Sequence, residues 1–286
     1  MLWTVLAFGL TLLPATGWAQ SSLTPEGLFG GQATQAERSS ADEEHEFETD
    51  RDSFTPATST VLPGRFLTES AWSFIDHRDV QDSHSLPELV LRYGVTDWLE
   101  LRFGTNYEVG GESDSISGAD LGQEPGASLP GRVSASNVSY GIKALISVQE
   151  GWRPESSLIV AGSTPTSGES TATDLICTYV WGWTFENDWK WDSSIRYGTG
   201  HAEADNFNRW APSTVLKIPI ADRWDIHAEY FGLFTADRAD NSQTHYISPG
   251  LAWKLSENFE LGLRVGWGLN DQSSRMFSNV GFGWQF

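Results

Sequence analysis

A single cysteine, Cys177, excludes an intrachain disulfide framework and any zinc site built on a CxxC pair. Bases are also few. Eighteen Lys and Arg against 38 Asp and Glu give a net charge of -20, so nucleic acid is not an expected partner, because a phosphate backbone needs a basic face. Apolar residues make up only 39% of the chain, and no stretch beyond the first 19 residues approaches the roughly 20 apolar residues of a membrane-crossing helix. Aromatic side chains, by contrast, reach 13%, with 14 Trp, and there are 28 Gly. The length of 286 residues suits one large domain or two small ones.

Residues 2–13 form an apolar run, and Gly17 and Ala19 place small side chains where a signal peptidase reads, so residues 1–19 are expected to be a signal peptide cut before Gln20. The run departs from the usual pattern in having no Lys or Arg before it. No Cys follows the cut, which argues against a lipoprotein. Residues 20–62 then read as an acidic leader rich in Ser and Thr, with Asp42, Glu43, Glu44, Glu46, Glu48, Asp50 and Asp52, too polar to fold alone. It is either a disordered linker or a plug.

From Pro63 onward the apolar signal has period two, the mark of strands with two unlike faces. Val280, Phe282, Trp284 and Phe286 alternate with Asn279, Gly281, Gly283 and Gln285. Leu99, Leu101 and Phe103 likewise alternate with Glu100 and Arg102. Candidate strands fall near 65–75, 86–94, 98–108, 137–148, 155–164, 173–185, 189–198, 210–218, 224–233, 246–255, 259–268 and 277–286. Even-numbered connections are short, and odd-numbered ones are mostly longer and richer in Gly, Ser, Asp and Asn, the longest spanning 110–135. Such alternation predicts an all-β fold, a transmembrane antiparallel up-and-down barrel of about 12 strands over 63–286, placed in the outer membrane of a diderm bacterium with lipid around it. A soluble β-sandwich would share the period but not the turn rule.

The faces agree with the barrel. One is apolar and almost free of charge, as a lipid-facing band must be, and Trp98, Trp189, Trp224, Phe259 and Phe286 mark an aromatic girdle at the short-turn end. Pro249 lacks a ladder donor and is expected at the loop-side rim. The other face is charged. Glu69, Glu88, Arg92, Glu100, Arg102, Lys143, Asp174, Asp192, Arg196, Lys217, Asp225, His227, Glu229, Lys254, Glu260 and Arg264 are expected to line the lumen. Hairpin arithmetic sets Arg92 opposite Glu100, Lys217 opposite Asp225 and Lys254 opposite Glu260, three pairs that either fix register or constrict a pore. Inward acids and bases nearly balance, so the negative charge resides in the leader and in an acidic mouth that includes Asp76, Asp79, Asp82, Asp237 and Asp271.

Little chemistry is visible. Residues 114–124 are acidic without the spacing of a calcium loop, and His45 stands alone among acids, so neither a metal nor any other cofactor is expected. A barrel lipase would need a nucleophile near His245, and Ser242, Gln243 and Ser248 are the neighbours to test. Cys177 sits on the apolar face as a packing residue.

Several stretches together resemble a known group, the outer-membrane transporter-like family named for a putative meta-pathway of phenol degradation. They are Glu48-Thr49-Asp50-Arg51 with Pro63-Gly64, the hairpin around Leu91-Arg92-Tyr93-Gly94 and Trp98-Leu99-Glu100, Ala228-Glu229-Tyr230-Phe231-Gly232, and the ends Gly266 to Asn270 and Val280 to Phe286. The resemblance implies a β-barrel that passes small molecules, aromatic ones among them. Terminal Phe286 also resembles the signal read by the barrel assembly machinery. The expected function is therefore a passive channel for small solutes, with a closed structural or adhesive barrel binding partners or cations through its acidic loops as the alternative; an enzyme is not expected. Twelve strands predict a narrow lumen.

Overall fold

The computed structural model describes residues 47–79, 81–111, 133–167, 172–202, 205–237 and 241–286, with side chains omitted at 133–135 and 201–205. Twelve strands follow in order: β1 (Phe66–Asp76), β2 (Ser83–Thr96), β3 (Leu99–Gly110), β4 (Val133–Ser147), β5 (Glu155–Pro165), β6 (Asp174–Thr184), β7 (Lys190–Ala202), β8 (Asp205–Ala221), β9 (Trp224–Ala236), β10 (Gln243–Ser256), β11 (Phe259–Gly268) and β12 (Met276–Gln285). Each pairs with its sequence neighbours, and β12 closes on β1, giving an antiparallel up-and-down barrel without an edge. The shortest strands have 10 residues and the longest 17, enough for each to cross a bilayer at a tilt.

The outer surface explains why the chain needs lipid. Leu101, Phe103, Tyr140, Ile195, Leu263 and Val280 lie on it and are all more than two fifths exposed, an apolar band far larger than a soluble monomer displays. At the short-turn end aromatic rings gather in separate groups. Phe66 stacks on Phe286 and contacts Tyr93, Trp284 contacts Phe286, and Trp224 lies flat on Trp253 at 5.0 Å. Reciprocal Phe66 and Phe286 backbone hydrogen bonds of 2.9 Å bring the last residue against the first strand.

Two of the three expected cross-strand pairs need correction. Lys254 does face Glu260, but Arg92 faces Arg102, and Lys217 faces His227 rather than Asp225. All three hairpins carry a bulge beside a two-residue turn, between Gly94 and Thr96, Pro219 and Ala221, and Lys254 and Ser256, but the first two ladders are offset by two residues from the register the arithmetic assumed. Pro249 is not at the rim. It faces lipid in the middle of β10 opposite Ala228, and the β10–β11 ladder omits Ser248 and Pro249, so no donor is missed there. The β7–β8 connection, expected to be long, shrinks to 203–204 because both strands extend upward as a paired ribbon.

Candidate functional site

The barrel interior contains part of its own chain. Residues 47–62, the end of the acidic leader, enter from the short-turn end, rise to Phe54 about halfway up, and return through Val61 to β1. Thr49, Asp50, Arg51, Ser53, Phe54, Thr55 and Ala57 are all at most 3% exposed. Room for them comes from inward-facing glycines: a Cβ on Gly283 would collide with Thr49, and one on Gly262 would come within 2.7 Å of Asp52 Oδ1.

Asp50 is the centre of the charged half. Its carboxylate meets Arg102 Nη1 at 2.6 Å and both Arg92 Nη1 and Lys143 Nζ at 3.4 Å, while its backbone N–H donates to Glu69 at 2.9 Å. Arg92 also contacts Glu69 and Glu100, and Arg102 contacts Glu100 at 2.7 Å. Burial opposes ionisation of Asp50, but Arg92, Lys143 and Arg102 outweigh it and hold the carboxyl well below the ordinary carboxylate range. Arg51 completes this side by donating to the Glu88 carbonyl and carboxylate. Val61 N–H donates to Glu100 at 2.9 Å on the return path, and Thr58 donates to Glu155 at 2.6 Å.

The apex is held differently. Glu229 accepts from Phe54 N at 2.8 Å, from Thr55 N at 2.7 Å and from Arg264 Nη1 at 3.0 Å. Phe54 stacks on Phe231 with centroids 4.4 Å apart and receives the Arg196 guanidinium on its ring at 4.4 Å. Tyr246, Phe277, Ile75 and Ala211 join that inward-facing apolar cluster.

Beside the segment, on the β7–β10 side of the floor, a cavity of about 530 Å³ remains, bordered by Glu48, Lys190, Lys217, Asp225, His227 and Lys254 among others. Glu48 bonds Lys190 at 2.7 Å and lies 3.9 Å from Lys217, and Lys254 bonds Asp225 at 2.7 Å. Burial again opposes ionisation of Glu48, yet Lys190 and Lys217 pull its carboxyl below its ordinary range.

Of the residues expected inside, Glu69, Glu88, Arg92, Glu100, Arg102, Lys143, Asp192, Arg196, His227, Glu229, Glu260 and Arg264 are buried, and Asp174, Lys217, Asp225 and Lys254 half-buried. The structure gathers Glu69, Arg92, Glu100, Arg102 and Lys143 around Asp50, and separately pairs Glu229 with Arg264. Reading the sequence missed the leader's own side chains as their partners and missed the inward aromatics Phe231, Tyr246 and Phe277. The signal for the first was present in the inward glycines of β11 and β12.

The hydrolase cluster does not assemble. The His245 ring hydrogen-bonds Tyr230 on the outer face at 2.7 Å, Ser248 points inward to the Val265 carbonyl, and Ser242 pairs with Thr235. Among the described residues no three His, Cys, Asp or Glu side chains are placed to hold a metal ion. Residues 1–19, His45 and 114–124 lie outside the described residues. At the mouth, Asp76 pairs with Arg275 at 3.0 Å.

Solved structures with this fold are outer-membrane proteins. The chain is similar to an outer membrane channel from Pseudomonas putida F1, with TM-score 0.57, 10% identity, and coverage of 80% of this chain and 98% of that one. It is also similar to the NanC porin, with TM-score 0.52, 8% identity, and coverage of 77% and 98%. No curated protein sequence matches the chain. The profile of the family described as putative MetA-pathway of phenol degradation matches residues 49–286, which takes in the inserted segment as well as every strand. The chain belongs to that family.

Proposed function

We propose that this protein is a passive outer-membrane channel for small solutes, aromatic ones included, and that residues 47–62 are its plug. The observation that carries the reading is a charged and hydrogen-bonding inner wall whose strongest anchors hold a segment of the same chain as well as each other. The lumen-lining residues then have two states. With the segment in place, Arg92, Arg102 and Lys143 neutralise Asp50, and Glu229 caps the apex. With it displaced, the same groups border a polar path from mouth to floor, and solutes diffuse down their gradient. The channel reading is also supported by the likeness to a channel and a porin. The reading carries with it export by residues 1–19, insertion through an assembly machinery that reads Phe286, and no catalysis.

The closed state gives weight to the second reading, a structural or adhesive barrel whose acidic loops bind partners. Planar-bilayer recording separates the two. Protein from residue 20 onward should show rare openings, and protein beginning at residue 63 should conduct continuously. A folded barrel that stays silent after the segment is removed refutes the channel.

A further inference from the structure

Above the inserted segment, one stretch of the inner wall carries polar atoms with nothing to bond. On β3 both carboxamide atoms of Asn106 lack a hydrogen-bond partner although the residue is only 6% exposed. Its Cα partner on β4 is Asn137, 3% exposed, whose Nδ2 is unpaired as well. One step nearer the mouth, Ser85 on β2 sits opposite Glu108, and its buried hydroxyl is unpaired. The segment uses none of these three. Arg92, Arg102 and Lys143, which hold Asp50 from the same strands, lie closer to the floor, and Glu88, opposite Asn106, is the highest point the segment reaches on β2, through Arg51.

Buried carboxamides are nearly always bonded, so two adjacent ones with free donors, beside a free hydroxyl, point to a ligand rather than to packing. The chemistry of that ligand follows from the atoms. Asn106 offers two donors and an acceptor, Asn137 offers donors, and Ser85 offers a hydroxyl that does either. All three are uncharged; Glu88 is already paired with Arg51, and Glu108 is an acid that disfavours an anion. The facing wall is different in kind. β3 and β9 stand diametrically opposite in the twelve-strand ring, and there Phe231 and the segment's Phe54 stacked on it belong to an apolar cluster.

We propose that Ser85, Asn106 and Asn137 form a recognition site for a neutral solute with a hydrogen-bond donor and acceptor on one edge of a flat apolar body, a primary aromatic amide being the simplest case. The site rests on the channel reading, but its occupancy is measurable without any current. The full chain from residue 20, refolded in detergent, is titrated calorimetrically with benzamide and with benzoate, using protein-free micelles as the blank. Benzamide should bind saturably and benzoate should not. Asn106→Leu and Asn137→Leu should each weaken benzamide about tenfold. Benzamide heats no larger than the blank, or affinity unchanged by both substitutions in barrels with folded, heat-modifiable gel mobility, overturn the site. Should the leucine variants fail to fold, Asn106→Asp keeps the side-chain shape and replaces the donors with a charge; it should abolish benzamide binding, and retained binding overturns the proposal. Conductance is recorded on the same preparations. A barrel that binds benzamide yet never conducts upholds the site and removes only the channel reading, whereas conduction without binding removes the site alone.

Discussion

The two sides of the inserted segment are held by different physics. Toward β1–β4, Asp50 and Arg51 are locked by ion pairs in which Asp50, Arg92, Glu100 and Arg102 each have more than one partner. Toward β8–β10, the apex rests on one carboxylate, Glu229, and on a stacked Phe54. A buried ion network stabilises little relative to an apolar core, but removing one member strands the others, so such a network resists partial opening. The apex has no comparable penalty. The charged limb is therefore the hinge of the plug, and the aromatic apex is the part that yields first.

Asp50→Ala should break this contrast most severely, because it leaves Arg92, Arg102 and Lys143 short of a partner. A loss of about 3–5 kcal/mol in the closed state is expected, read as a channel open most of the time in bilayer recordings. Glu229→Ala should be next. It removes the acceptor of two backbone amides and of Arg264 and should raise the open fraction by about 2–3 kcal/mol while heat-modifiable mobility shows the barrel intact. An unchanged conductance in that variant would remove the apex from the mechanism. Phe54→Ala takes away buried ring area worth about 1.5–3 kcal/mol, and the sharper test is that its openings should be brief, since the charged limb stays docked. Lys254→Ala should change almost nothing, about 1 kcal/mol or less, because its pair with Asp225 is partly exposed and screened.

Acid should act on the segment's own carboxylates. Asp50 and Glu48 have folded-state carboxyls held below their ordinary values. Such groups give stability that is complete above the free-chain value, about 4, and lost as pH falls through the lowered one. The closed state should thus persist between about pH 8 and pH 5 and give way only in stronger acid. Opening on mild acidification, measured as conductance at pH 5, would contradict the arrangement around Asp50.

Strand positions were legible because lipid on one side and a polar lumen on the other force a period of two on every crossing. Phe259 to Trp267 and Val280 to Phe286 show it without interruption. Inward residues followed from parity, so Arg92, Glu100, Arg102 and Lys143 could be placed on one face. Their partners could not be placed. Pairing offset by two residues changes which residue faces Arg92 without altering the apolar pattern, and nothing local distinguishes Asp50 from its acidic neighbours in the leader.

Alternation, turn lengths and the aromatic girdle, all properties of neighbouring residues, thus determined a twelve-strand barrel, which surface faces lipid and which face carries charge. Only the closed ring decided that Asp50 meets three cations from β2, β3 and β4, that Phe54 reaches Phe231 across the lumen, and that Asn106 and Asn137 stand side by side with free donors. These placements join residues on different strands and on the inserted segment, which no local pattern relates and only the assembled barrel brings together.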